Sequence, residues 1–547
     1  MKRMAHFGTM LFLFIGFLGN AQTIVWTGVA SSDFFNEANW KNSVTNVVPS
    51  AGTINPGTNI TLALQINIVT NITANGTIQF STGSLAIGKA ILTATSLSGG
   101  NVTINEGGYI DLSSTTPFLN SVQINFTSGI GWVRTTNYKT TAVSTNNLGQ
   151  IKVNGSTSVY QTNLRLDNYY LSGCVIRSNS ASTSPLTVYD GINLQGTSAL
   201  ISVNTVHSGI AIPNSMDNKI KSFVLKKGFM ATFATETDGT GKSKNYIASE
   251  DDLVINMVPQ TLLKTVSFIR VLPWNWVTKK GRTDIETDLN TTWVYKWNNT
   301  LNTTLNWEFA PMSWGYTNAN DAADVALYVG KYNSTHVMGF NEPDSCTGQS
   351  GQYGNLCDTD VAVGYYKNLM KTGMRLVSPG CREEGAKDNQ WLEQFITKAT
   401  AQNVRIDAIA VHWYDWGSNP VATPTSTAAQ IFSRFKSYLA SVYAVHGLPI
   451  WITEFNANPA RSNATNAEFI ALALPYLETL DYVERYAWFP YNSGTHYYGW
   501  DDITKTQTNT TKTAVGINYA NHVSTPAISK STVNATTNLD LATCVCH

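Results

Sequence analysis

The chain has 547 residues, 43% hydrophobic and 13% charged, with 36 Lys+Arg against 36 Asp+Glu. That length suits two to four domains of ~100–200 residues, and the charge balance excludes the basic footprint of a nucleic-acid or anionic-membrane binder. Six cysteines in a chain of this length exclude a disulfide framework as the basis of the fold.

Residues 1–21 carry Lys2 and Arg3, then an apolar run from Met10 to Leu18, then small Gly19 and Ala21. The run is too short for a membrane span and has the layout of a secretory signal. A mature protein that is secreted, periplasmic or held at the cell surface is expected. No later segment is apolar enough to span a bilayer, and no membrane partner is expected.

Residues 22–205 are rich in Thr, Asn, Ser and Gly and hold 13 charged residues. In "TLALQINIVTNITANGTIQF", Leu62, Leu64, Ile66 and Ile68 alternate with polar neighbours, the period of strands. Turn residues recur in "ANGT", "STGS", "SGGN" and "NEGG". The region is expected to be all-β, a solenoid or a sandwich, and an accessory domain that binds carbohydrate is one role for it. Residues 206–262 read as a small separate β unit, and "KIKSFVLKKGFMATFATETDGTGKSKNYIA" weakly resembles a βγ-crystallin motif. "DGTGKS" is not a phosphate loop, because Glu236 stands where that motif needs its first glycine.

From residue 263 to 525 strand-like runs alternate with helix-like ones. The strands are "VSFIRVLPW", "TTWVYKW", "LNWEFAPMSW", "HVMGFNEP", "MRLVSPG", "IDAIAVHWY", "PIWITEF" and "RYAWFPYN". Between the sixth and seventh, Ile431, Phe435, Tyr438, Leu439 and Val442 fall on one helical face, and Gly447 stands just past the end as a stop. Eight β/α units predict a (β/α)8 TIM barrel, and residues 526–547 a polar tail. Cys346 and Cys357 bracket a Gly-rich loop that they are placed to pin if paired. No second Cys or His pair has zinc-ligand spacing, and neither a metal nor a cofactor is expected.

Barrel chemistry belongs at the C-terminal strand ends. Reading each strand to its end gives Trp276, Trp297, Trp314, Glu342, His412 with Tyr414, Glu454 and Trp488. Glu342 runs directly into Pro343, which excludes a helix and a central strand and leaves a strand end. Glu342 and Glu454 end the fourth and seventh strands, which face each other across the mouth. Two carboxylates there can flank a scissile glycosidic bond, one as proton donor and one as nucleophile, and a retaining reaction needs them ~5–5.5 Å apart. Asp344 and Asp415 are rival carboxylates near the rim. No GxSxG elbow occurs, so an esterase triad is unsupported.

The runs "VMGFNEPD", "IAVHWYD" and "PIWITEFN" resemble the catalytic core of glycoside hydrolase family 128, over about residues 264–525. The resemblance implies a retaining endo-β-1,3-glucanase. In it Glu342 is the acid/base, Glu454 the nucleophile and Asn341 a contact to the sugar's 2-hydroxyl. His412 and Tyr414 orient the nucleophile and line the central subsite. Twelve of the 15 tryptophans lie after residue 264. Trp276, Trp314 and Trp488 at strand ends, with Tyr491 after the last strand, are the expected stacking surfaces for sugar rings. Trp293, Trp307 and Trp451 sit mid-strand and read as core. The expected partner is a β-glucan polysaccharide of the laminarin or curdlan kind, and a monomer is expected. Agar, mannan or β-1,6-glucan as substrate, or a non-catalytic carbohydrate-binding or adhesive protein, are the alternatives.

Overall fold

The computed structural model describes residues 23–533 apart from 32–35, 43, 49–58, 63–65, 70, 81–82, 115–118, 284–287, 304–306 and 529–531. The expected signal at 1–21 and the end of the expected tail, 534–547, lie outside them, as do the side chains of Leu62, Leu64 and Ile66. Among the described residues no helix is long and apolar enough to cross a membrane. Two compact units divide the chain between Asn125 and Phe126.

In the first unit the chain alternates between two sheets. Asn59–Leu62, Ile72–Phe80, Ala90–Ser98 and Gly108–Leu112 pair in parallel. Ile66–Ile68, Ser84–Ile87 and Asn101–Ile104 fall between them in sequence and pair in parallel with one another. Each turn takes 17 to 20 residues, as in Leu85↔Val102 and Ile72↔Leu92. Parallel pairing of successive turns is the solenoid pattern; a sandwich would pair neighbours as antiparallel hairpins. The register stacks like on like, and Ile87 over Ile104 and Leu92 over Ile110 are fully buried.

The second unit begins with an antiparallel sheet of Leu164–Tyr169, Gly173–Ser178 and Gly131–Thr135. A two-sheet sandwich follows. One sheet contains Leu186–Tyr189, Ser198–Ile201, Ser222–Leu225 and Leu253–Ile255. The other contains Val206–Ser208, Phe268–Pro273, Phe229–Ala234, Ser243–Ala248 and Thr532–Val533. Leu186, Ile201, Phe223, Phe233, Tyr246 and Ile269 fill the space between them. The boundaries expected at 205/206 and 262/263 therefore move. The sandwich runs from 186 to 273, and residues 532–533 of the expected tail return to its edge. The expected first barrel strand, "VSFIRVLPW", is an antiparallel sandwich strand. All six residues of Phe268–Pro273 are buried, and a run buried on both faces looks the same in a parallel sheet and in a sandwich core.

Beyond the sandwich the strand pairings among the described residues are parallel, apart from the terminal hairpin and the antiparallel bridge of Thr278 with Pro526. Trp293–Val294 pairs with Glu308–Phe309, and Met312 with Met338. His336–Met338 pairs with Arg375–Val377, and Val377 with Ala408. Ile409–Trp413 pairs with Ile450–Phe455, which pairs with Val483–Trp488. Tyr486 then pairs with Lys280, and Arg282 with Val294, so the pairings return to where they began. Helices Ala322–Val329, Thr359–Tyr366, Trp391–Ala401, Ala428–His446 and Asn463–Thr479 alternate with the later strands, and Ala514–Asn521 follows them. Ala428–His446 buries the five residues its periodicity marks and stops at Gly447, whose φ is 63°.

The segment at 278–282 had no apolar signature because lysines occupy it. Their ammonium groups are consumed at helix ends, whose last carbonyls lack partners of their own. Lys279 Nζ donates to Leu480 O at 2.9 Å, and Lys280 Nζ to Tyr519 O and His522 O, both at 2.7 Å. Burial pulls Lys280 down to about 7. The sandwich sits against the opposite end of these strands from the carboxylates: Thr232 Oγ1 donates to Gly373 O, Arg270 to Val329 O and Arg405 Nη1 to Ser243 Oγ, at 2.7–2.8 Å, all from residues that precede a strand.

Candidate active site

The C-terminal strand ends enclose a cleft of about 810 Å³. Glu342, Glu454, Asn341, Tyr414, Trp314 and Tyr491 line it as expected residues, with Trp297, Gln349, Arg382, Glu383, Glu384, Trp416, Pro459 and Phe489. One oxygen of Glu342, one of Glu454 and one nitrogen of His412 lie within 4.8 Å of one another.

Glu342 reaches this position through an unusual backbone. Its φ is +47°, in the left-handed region that a non-glycine residue before proline seldom adopts. Its N–H donates to Gly380 O at 2.8 Å and its C=O accepts from Ser345 N at 3.0 Å, so the turn is held on both sides. Such conformations persist where surrounding bonds over-determine them, and they cluster at functional sites.

Glu454 is held through both oxygens. Trp297 Nε1 donates to Oε1 at 2.9 Å, and the Tyr414 hydroxyl donates to Oε2. Tyr295 OH donates to the preceding carbonyl, Thr453 O, at 2.8 Å. His412 bridges the two acids, with Nδ1 2.8 Å from Glu342 Oε1 and 3.6 Å from Glu454 Oε2. Burial alone would lower its pKa; the Glu454 and Glu342 carboxylates outweigh that and push it up to about 9. A protonated ring donates from Nδ1 to Glu342, which suits the trio to proton transfer.

The rival carboxylates serve the scaffold. Asp344 is bound by Arg382 Nε at 3.1 Å. Asp415 is bound by Arg434, two bonds of 2.6 Å, and by Arg461 at 2.8 Å. Glu383 accepts the N–H groups of Tyr414, Trp416 and Gly417 at 3.1, 3.2 and 2.9 Å. Together Glu383 and Asp415 shape the loop that presents Trp416, which is 52% exposed. Cys346 and Cys357 form a disulfide with Cα atoms 5.1 Å apart.

Two expected binding tryptophans lie elsewhere. Trp276 follows a sandwich strand and is buried against Trp132, with centroids 5.6 Å apart. Trp488 ends its strand but is fully buried behind Phe455 and donates to Thr495 O at 2.8 Å. Its neighbour Phe489 reaches the cleft instead, since successive strand residues face opposite ways. Trp297 stood at a strand end and is the residue whose omission from the expected site mattered most. Trp416, two residues beyond Tyr414 in "HWYDW", carried the same signal. Glu383 carried none.

A family model described as glycosyl hydrolase catalytic core matches residues 271–516. Alkali-sensitive linkage protein 1 of Schizosaccharomyces pombe is 29% identical over 238 residues, 41% of this chain and 39% of that protein's length. A GH128 subgroup I endo-β-1,3-glucanase from Amycolatopsis mediterranei, solved with laminarihexaose, is 28% identical, covering 44% of this chain and 98% of that one, with a TM-score of 0.37. A GH128 subgroup III curdlan-specific exo-β-1,3-glucanase from Blastomyces gilchristii is 24% identical, covering 45% and 98%, with a TM-score of 0.32. Residues 271–516 thus match a glycosyl hydrolase catalytic core, and the chain spans about two fifths of the length of the curated relative it matches.

Proposed function

We propose that the C-terminal domain is a (β/α)8 barrel that cleaves β-1,3-glucan of the laminarin or curdlan kind, endo-acting and with retention, in an exported protein. The carrying observation is the approach of Glu342 and Glu454 oxygens within 4.8 Å. That spacing suits direct attack on the anomeric carbon; inversion needs ~6.5–9.5 Å to admit a water. The return of the parallel pairings to their start supports the barrel. The linkage comes from the family-128 resemblance of the three strand-end motifs. The Cys346–Cys357 disulfide suits an oxidising compartment.

In this reading Glu454, steadied by Trp297 and Tyr414, attacks the anomeric carbon and forms a glycosyl ester. The proton for the leaving oxygen comes from the Glu342–His412 pair, which shares one across 2.8 Å. Glu342 then takes a proton from the water that hydrolyses the ester, and the starting state returns. Trp314, Trp416 and Tyr491 offer rings to the apolar faces of the sugars.

The test is cleavage of laminarin and curdlan beside agar, mannan and β-1,6-glucan, with the first anomer followed by proton NMR. β-Anomer from the two β-1,3-glucans is expected, and Glu454→Ala should abolish it. An initial α-anomer would remove the retaining mechanism, and equal activity of Glu454→Ala would remove the site.

A further inference from the structure

Asn341 is buried at the cleft wall next to Glu342. Its Nδ2 donates to Gln349 Oε1 at 3.2 Å, whereas its Oδ1 is buried without a hydrogen-bond partner. An unpaired buried acceptor is unfavourable by ~1–3 kcal/mol, which a donor on a ligand would relieve. Nothing in Asn341 itself selects which amide atom points where, because oxygen and nitrogen are nearly the same size and a half-turn exchanges them. Gln349 Oε1 engages the nitrogen and so leaves Oδ1 as the unpaired atom.

Gln349 belongs to the loop closed by the Cys346–Cys357 disulfide, a separation of 11 residues. That loop folds back over the segment it serves. Ser350 N donates to Asn341 O at 3.2 Å. Gly351 lies so close to Pro343 that a Cβ there would stand 2.3 Å from Pro343 O. At the far end Trp391 Nε1 donates to Cys357 O at 2.8 Å.

We propose that Gln349, held by this disulfide-closed loop, is a positioning residue: it turns the Asn341 amide so that Oδ1 accepts a hydrogen bond from a sugar hydroxyl beside the scissile bond. The inference rests on the glycoside-hydrolase reading of the cleft and adds to it a residue that acts through another. It makes the loop a brace for the Asn341–Glu342–Pro343 turn.

A double-mutant cycle tests it. On laminarin, Gln349→Leu and Asn341→Ala each lower kcat/KM by about tenfold, and the double variant is no worse than Asn341→Ala alone. Cys346→Ser/Cys357→Ser reproduces the Gln349→Leu effect and likewise adds nothing to Asn341→Ala. Additive losses, or a silent Gln349→Leu beside an impaired Asn341→Ala, overturn the proposal. A second readout needs no turnover: solvent exchange of the Asn341 side-chain amide protons, observed with selective ¹⁵N-Asn labelling and assigned by their loss in Asn341→Ala. Exchange accelerates in Gln349→Leu and in the double serine variant; unchanged exchange overturns the brace. A wild type that leaves laminarin intact overturns the substrate reading alone, and the exchange measurement still decides the brace.

Discussion

At each end of the C-terminal strands a buried histidine lies between two glutamates, and the two ends use these residue types in opposite ways. At the sandwich end His336 stands 3.7 Å from Glu308 and 3.8 Å from Glu484. Each of those acids has its own guanidinium: Arg485 Nη2 donates to Glu308 at 3.0 Å, and Arg375 Nη2 to Glu484 at 2.8 Å. Burial works to raise Glu308, but Arg485 and then His336 hold it well below the usual carboxylate range. Burial and the two arginines drive His336 down to about 4. The cluster is neutralised from within, and Arg485 is stacked over the Trp451 ring at 4.3 Å. At the cleft end, among the described residues, no arginine or lysine pairs with Glu342 or Glu454, and His412 is pushed up to about 9. Carboxylates with arginine partners hold the strands together. Carboxylates left with His412 between them and no arginine of their own are available for chemistry.

The largest expected effect separates these roles. Glu342→Gln should lower glucan cleavage by about 10²–10⁴-fold with a smaller shift of the unfolding midpoint than Glu308→Gln produces. Glu308→Gln leaves Arg485 buried and unpaired and should destabilise the domain by about 3–5 kcal/mol while the folded fraction keeps its turnover. Urea unfolding beside reducing-end assays measures both, and a Glu308→Gln variant as stable as wild type would break the comparison.

The two histidines should also give opposite pH limbs. His412 has a raised folded-state pKa, so its contribution is fully present below about 6.5 and disappears as pH rises through about 9. His336 has a lowered one, so the unfolded chain takes its proton first, and stability is lost as pH falls from about 6.5 towards 4. Each limb is expected to be at most about 3 kcal/mol. Denaturation across pH should show His412→Gln flattening the alkaline limb and His336→Gln the acid one; a variant that flattens the other's limb reverses the assignment. The smallest effect belongs to the cleft wall. Trp416→Ala should raise KM for laminarin by about 0.5–1.5 kcal/mol of lost stacking with kcat little changed, and an unchanged KM would take Trp416 out of the binding surface.

Legibility differed between elements for physical reasons. The helix Ala428–His446 announced itself because one face is buried and the other wet, so its period shows in the residue types. Glu342 and Glu454 were legible because a carboxylate after a buried strand, with proline following the first, has few places to go. The segment at 278–282 was illegible because helix-end carbonyls satisfy its lysines, and composition records charge without recording partners. Trp276 and Trp488 were misplaced because aromatic residues look alike in a core and in a cleft. A single residue of strand phase separates buried Trp488 from Phe489 on the cleft wall.

By itself the sequence determined that strands alternate with helices in the C-terminal half and that two strand ends carry glutamates, since periodicity and backbone chemistry are local properties. The tertiary structure alone decided that Phe268–Pro273 belongs to a sandwich and which of the charged residues are neutralised. It also decided which carboxylates meet beside His412, because each outcome depends on groups brought together from distant parts of the chain.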